Sequence, residues 1–162
     1  MVESHLEIAG RHKAGAEDRH ETAIIGTLLS VAKKVRAILA LRLAEIGLVN
    51  GQDEVLLALD PDLPVSLPAL AGKLDMRSEM VSRLVEPLVS QDILKSAGFT
   101  ASGQRLLNVS PKGVTLQSRI RDIWNEIGAD LSGPEVAAPL DRLVEDLQAI
   151  QGMVNAKLTR LC

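Results

Sequence analysis

The apolar positions of this chain change period several times, and each change marks an element. From Glu21 to Ile46, Ile24, Leu28, Val31, Val35, Ile38 and Ile46 recur at steps of three and four, with Lys33, Lys34 and Arg36 off the stripe. That predicts a long amphipathic helix, stopped by Gly47. Residues 1–19 are polar with scattered glycine, and are read as a flexible arm. Asn50 is placed to cap a helix over Gln52–Leu59, with Asp53 and Glu54 in its first turn. DPDLPV breaks the chain twice. Ser66 then caps a short helix reaching Leu74, with Pro68 in its first turn, where a missing N–H is harmless. Another helix follows from Ser78 to Val89. Met80, Val81, Leu84, Val85 and Leu88 form its buried stripe, and Ser78, Glu79, Ser82, Arg83 and Glu86 its outer face. The period then shortens to two: strand Ile93–Ala97, a loose tip Gly98–Gly103, strand Arg105–Val109. Ser110-Pro111 opens a helix running to about Leu131. Ser132 and Glu135 make a capping box. The last helix repeats Leu140, Leu143, Leu147, Ile150, Val154, Leu158 and Leu161, close to a heptad seam.

Two short helices followed directly by a two-stranded ribbon are the sequence form of a winged helix-turn-helix. The predicted fold is mainly α with a small β-hairpin wing, flanked by N- and C-terminal dimerisation helices. The expected organisation is an arm (1–19), an N-terminal dimerisation helix (20–48), a DNA-binding lobe (49–113) and C-terminal dimerisation helices (114–162). The flanking seams are too long for so small a core, so a second copy is expected to cover them.

Composition sharpens this picture. Of 162 residues, 46% are hydrophobic but only 1% aromatic: Phe99, Trp124 and no tyrosine. Such a core must be aliphatic, which favours packed helices over a large sheet. A formal net charge of −3 has the wrong sign for a protein that coats nucleic acid indiscriminately. The one cysteine, Cys162, cannot form an internal disulfide. The N-terminus lacks an apolar run, so it does not read as a signal peptide, and the longest apolar segment, Ala37–Leu43, is too short to span a bilayer. A cytoplasmic protein is expected. His5, His12 and His20 lie seven and eight apart in a polar arm, which is not metal-ligand spacing. No glycine-rich phosphate loop, nucleophile–base set or paired carboxylates occur in a folded segment, so neither cofactor nor catalysis is expected.

On these residues the chain resembles the MarR family of winged-helix transcriptional regulators, over about Leu41 to Leu147. GLVNGQDEVLLAL is similar to the family's glycine-leucine turn, glutamine and short apolar helix. SLPALAGKLDMRSEMVSRLVEPLVSQDIL resembles its helix pair, and LLNVSPKG stands where the family has an apolar strand and leucine-threonine-x-x-glycine. The resemblance implies a homodimer joined through its terminal helices. It implies a pseudo-palindromic operator and release by a small ligand, frequently an aromatic carboxylate. The chain also departs from the pattern. The wing's aspartate-x-arginine falls on Ala101 and Gly103, with Arg105 the nearest base. The reading helix's capping serine falls on Arg77, leaving Asp75 or Ser78 to serve. The glycine before the hairpin is Asp92, and Pro87 sits inside the reading helix, where it should kink the helix or end it early.

The candidate DNA contacts are Arg77, Ser78, Ser82, Arg83, Lys95, Arg105 and Lys112, against Asp75, Glu79, Glu86 and Asp92 in the same stretch. Arg83 is the best single reader, because arginine can bridge guanine O6 and N7. The blander alternative pairs Arg83 with Glu79 or Glu86 on a solvated face. Trp124 either borders a ligand pocket or is ordinary packing or a dimer contact, the reading preferred here. Phe99, at the hairpin tip, is expected to fold back on the wing rather than stack on a base. The leading expectation is a dimeric DNA-binding regulator, a repressor, whose partners are double-stranded DNA, its own second copy and a small aromatic or carboxylate effector. The rival is a winged-helix dimer that has lost DNA binding and works as a protein-interaction or ligand-sensing module.

Overall fold

The structure is a computed structural model; it describes the backbone of residues 3–133 and 139–161, and side chains in those ranges from Ala23 onward. The element order is α1 (Glu3–Ala44), α2 (Gln52–Leu57), β1 (Val65–Ser66), α3 (Leu67–Leu74), α4 (Ser78–Ser90), β2 (Leu94–Phe99), β3 (Arg105–Val109), α5 (Pro111–Leu131) and α6 (Leu140–Thr159). The chain divides into two compact units, Met1–Ile120 and Arg121–Cys162. No helix among the described residues is long and apolar enough to cross a membrane.

The first unit is built around one aliphatic core. Leu43, Leu48, Val55, Leu56, Leu70, Val81, Leu88, Ile93, Leu94, Leu107 and Ile120 are buried in it. It therefore draws on residues on both sides of the segment 49–113. Burying each of these side chains contributes about 2 kcal/mol. The sheet order is β1-β3-β2, antiparallel throughout. The sequence pattern predicts only the hairpin. The third strand is two residues long, too short for any alternation, and pairs Val65 with Leu107 and Ser66 with Leu106.

Several local expectations hold. Gly47, at φ 76°, ends α1. Ser66 Oγ accepts from Ala69 N at 3.4 Å, with proline in the first turn of α3. Ser110 Oγ accepts from Gly113 N at 3.1 Å and opens α5. Asp92 occupies the left-handed region, at φ 58°, where a short polar side chain is tolerated better than most.

Others are corrected. The helix predicted from Glu21 extends back to Glu3, through the segment read as an arm. That segment holds no proline, and its glycines weaken a helix without breaking it. Along α1, Ile24, Val31 and Ile38 of the predicted stripe are exposed, and among the described side chains Leu43 is the fully buried one. Asn50 does not cap α2: its Nδ2 donates to Arg36 O at 3.1 Å, and Gly51 is the N-cap, with its N–H donating to Asp53 Oδ1 at 3.0 Å. In α4, Val81, Val85 and Leu88 are buried but Met80 is 49% exposed. One residue step turns a helix by ~100°, which takes Met80 off the buried face. Neither Asp75 nor Ser78 caps α4; Asp75 ends α3 instead, and Arg77 occupies the N-cap without a side-chain bond. Pro87 does not end α4, which continues to Ser90. Pro87 lies on the exposed side, while Leu88 beside it is anchored in the core. The wing tip is not loose: β2 reaches Phe99 and the turn is hydrogen-bonded. The capping box at Ser132–Glu135 lies partly outside the described residues.

In the second unit, α6 has no buried residue. Leu140, Leu143, Leu147, Val154, Leu158 and Leu161 are exposed and Ile150 is half-buried.

Candidate nucleic-acid interface

The outer face of α4 is positioned from behind. Val81, Val85 and Leu88 root it in the core, and Gln52 ties it to α2. Gln52 is buried; its Nε2 donates to Leu84 O at 3.2 Å while its Oε1 accepts from Val49 N at 3.0 Å. Gly51 lets the two helices approach: a β-carbon there would stand 3.1 Å from Leu84 Cδ1. Behind α2, Gln117 of α5 is also buried, and its Nε2 donates to the carbonyls of Leu56 at 2.6 Å and Leu59 at 2.8 Å. These are backbone acceptors at the end of α2, where a helix runs out of its own donors. The glutamine in the α2 motif is readable in the sequence; nothing in the local pattern marks Gln117.

The wing is fixed at its base. Ser110 Oγ donates to Asp92 O at 2.6 Å, and Lys112 Nζ donates to Gln91 O at 2.9 Å. Gly113 is packed against the start of the hairpin, so that a β-carbon would collide with Ile93 O and lie 2.6 Å from Val109 Cγ1. These contacts clasp α5 to the loop between α4 and β2.

Ser78, Ser82 and Arg83 come together in a shallow depression of about 510 Å³ on α4, together with Glu79, Glu86 and Leu67. Arg105 joins them from the wing. It lines a neighbouring, mostly apolar groove of about 340 Å³ in which Ser82 and Glu86 also take part, with Gln104 and Leu107. Ser82 Oγ donates to Glu86 Oε1 at 3.3 Å. Arg83 is exposed, and among the described residues its guanidinium has neither Glu79 nor Glu86 within ion-pair distance; the bridges present are Arg36–Glu54 and Arg42–Glu45, both 3.8 Å. The remaining candidates stand apart. Arg77 is exposed at the α4 N-cap, Lys95 lies opposite Asn108 on the hairpin, and Lys112 is engaged with the Gln91 carbonyl. Trp124 is 41% exposed. Phe99 does not fold back on the wing; it is 69% exposed, because the strand carries it past the edge of the core.

The described residues contain no cluster of metal-ligating side chains. The side chains of His5, His12 and His20, and Cys162, lie outside the described set.

No protein-family model and no curated protein matches the chain in sequence. Solved structures match it in fold. A MarR protein from Peptoclostridium difficile superposes with a TM-score of 0.77 at 13% identity, over 86% of this chain and 92% of that one. The transcriptional regulator SlyA superposes with a TM-score of 0.72 at 16% identity, over 86% and 99%. Staphylococcus aureus MarR, solved with salicylate and kanamycin, gives 0.70 at 13% identity, over 86% and 93%. Helix pair, three-stranded wing and long terminal helices together give this chain the winged-helix fold of the MarR and SlyA transcriptional regulators.

Proposed function

We propose that this protein is a sequence-specific DNA-binding transcriptional regulator, a repressor acting as a homodimer on a pseudo-palindromic operator. The observation that carries this reading is the α4 surface. Ser78, Ser82 and an Arg83 unpaired by its neighbouring acids share one exposed depression, with Arg105 beside them on the wing. Two such helices, one per subunit, would enter successive major grooves about one helical turn apart. Arg83 is the base reader, and Arg77, Lys95, Arg105 and Lys112 serve phosphates. The seam of α6, from Leu140 to Leu161, and the exposed face of α1 supply the dimer surface. A small carboxylate that changes the geometry of the dimer would release DNA; the salicylate complex of the Staphylococcus aureus relative lends that idea a precedent.

Glu79 and Glu86 on the same face favour a second reading, a winged-helix dimer that binds a protein or ligand in place of DNA. A salt series on DNA from upstream of the protein's own gene decides between them. The regulator should form a specific complex at low salt that weakens steeply as salt rises. Arg83→Ala should cost ~1–3 kcal/mol of specific binding and relax preference at one base pair. Absence of any specific complex at low salt refutes the regulator.

A further inference from the structure

We infer that Phe99 is a wedge that enters the minor groove of duplex DNA and inserts at a base step. This rests on the regulator reading above and adds a contact that the α4 surface does not contain. Four observations converge. Phe99 is the one phenylalanine of the chain, yet it is 69% exposed, at the last position of β2. It pairs in register with Arg105, so the two side chains leave the same face of the hairpin. The tip beyond them is braced: Thr100 N donates to Gln104 O at 2.8 Å, Gly103 N to Thr100 O at 2.9 Å, and Gln104 N to Thr100 Oγ1 at 3.0 Å. The tip is also slim: between Phe99 and Arg105 it runs Thr100, Ala101, Ser102, Gly103 and Gln104, with no aromatic or branched aliphatic side chain, which suits a groove only ~6 Å wide.

Charge separates the wing from α4. Between Leu94 and Val109 the only charged residues are Lys95 and Arg105, with no acid, whereas α4 carries Glu79 and Glu86 beside Arg83. The hairpin strands and tip thus add positive charge without an acid of their own, although Glu86 of α4 lines the groove beside Arg105. An aromatic ring held rigidly between two bases unstacks a base step and kinks the duplex, most easily at a pyrimidine–purine step. Arg105, across the strand pair, is placed to hold the phosphate flanking that step.

The test uses the full chain and a duplex recovered by selection from a randomised library, carrying 2-aminopurine at successive positions beneath the wing. The wild type should raise 2-aminopurine fluorescence at one step in each half-site. Phe99→Ala should remove that rise and weaken binding about tenfold, and Phe99→Leu should restore much of both. Phe99 is outside the core, so unchanged thermal melting should accompany Phe99→Ala. Binding and fluorescence equal to the wild type in Phe99→Ala overturn the wedge, and so does a wild type that binds without any rise. Recovery of no duplex by the wild type overturns the regulator reading itself, and the wedge with it.

Discussion

In the winged-helix lobe, Leu48, Leu56, Leu70, Leu88 and Leu107 are sealed from solvent; in α6, Leu140, Leu147, Val154 and Leu158 stand exposed. The residue types are the same and both sets follow a regular period. The difference lies in what each period has to pack against. The lobe brings helices and a sheet onto a common centre, so its aliphatic positions are satisfied within the chain. A 20-residue helix with nothing buried is marginal in water, because helices in proteins draw most of their stability from packing. The aliphatic positions of the lobe are thus covered within the chain, whereas those of α6 are left exposed.

The sharpest way to break that contrast is to charge the α6 seam. Leu147→Glu should convert a dimer into a monomer in sedimentation velocity at micromolar concentration, a loss of about 3 kcal/mol or more of association, while the melting of the lobe stays put. A wild type that sediments as a monomer would end the seam reading outright. On the other side, Gly113→Ala should strike the lobe alone. The added methyl meets Ile93 O and Val109, for a cost of about 3 kcal/mol in urea unfolding, with self-association retained. Gln117→Met is the milder probe: it keeps volume but withdraws the amide from the carbonyls of Leu56 and Leu59, for about 2 kcal/mol. If either lobe variant also dissociates the protein, the two regions are coupled and the comparison needs revising.

The same contrast governs what could be read from the sequence. Period and punctuation located α3, α4, β3 and α5, because Ser66, Pro68, Ser110, Pro111 and an unbroken apolar stripe are local signals. Non-local ties were illegible. The pairing of Val65 with Leu107, the Asn50–Arg36 bond and the reach of Gln117 to α2 join residues far apart in sequence. Met80 falls on the predicted stripe because a stripe wide enough to include it is compatible with the same spacing; only the direction of the core selects Val81, Val85 and Leu88. At the candidate site, the composition of the α4 face was readable, but two facts about it were not: Arg83 stands apart from its neighbouring acids, and Glu86 takes the Ser82 hydroxyl instead. Both depend on rotamers, which no pattern of residue types specifies.

The reach of Gln117 to α2 also bears on how the chain is made. Its two bonds span 61 and 58 residues, so the end of α2 emerges from a ribosome long before the amide that completes it. Until α5 follows, Leu56 O has only its bond from Leu59 N, Leu59 O lacks its amide donor, and the hairpin lacks the Gly113 clasp against Ile93. Loop closure over such distances comes late relative to local helix formation, so nascent chains arrested before α5 should be protease-sensitive and those extended past it resistant. A lobe built this way is not clasped together on a half-made chain.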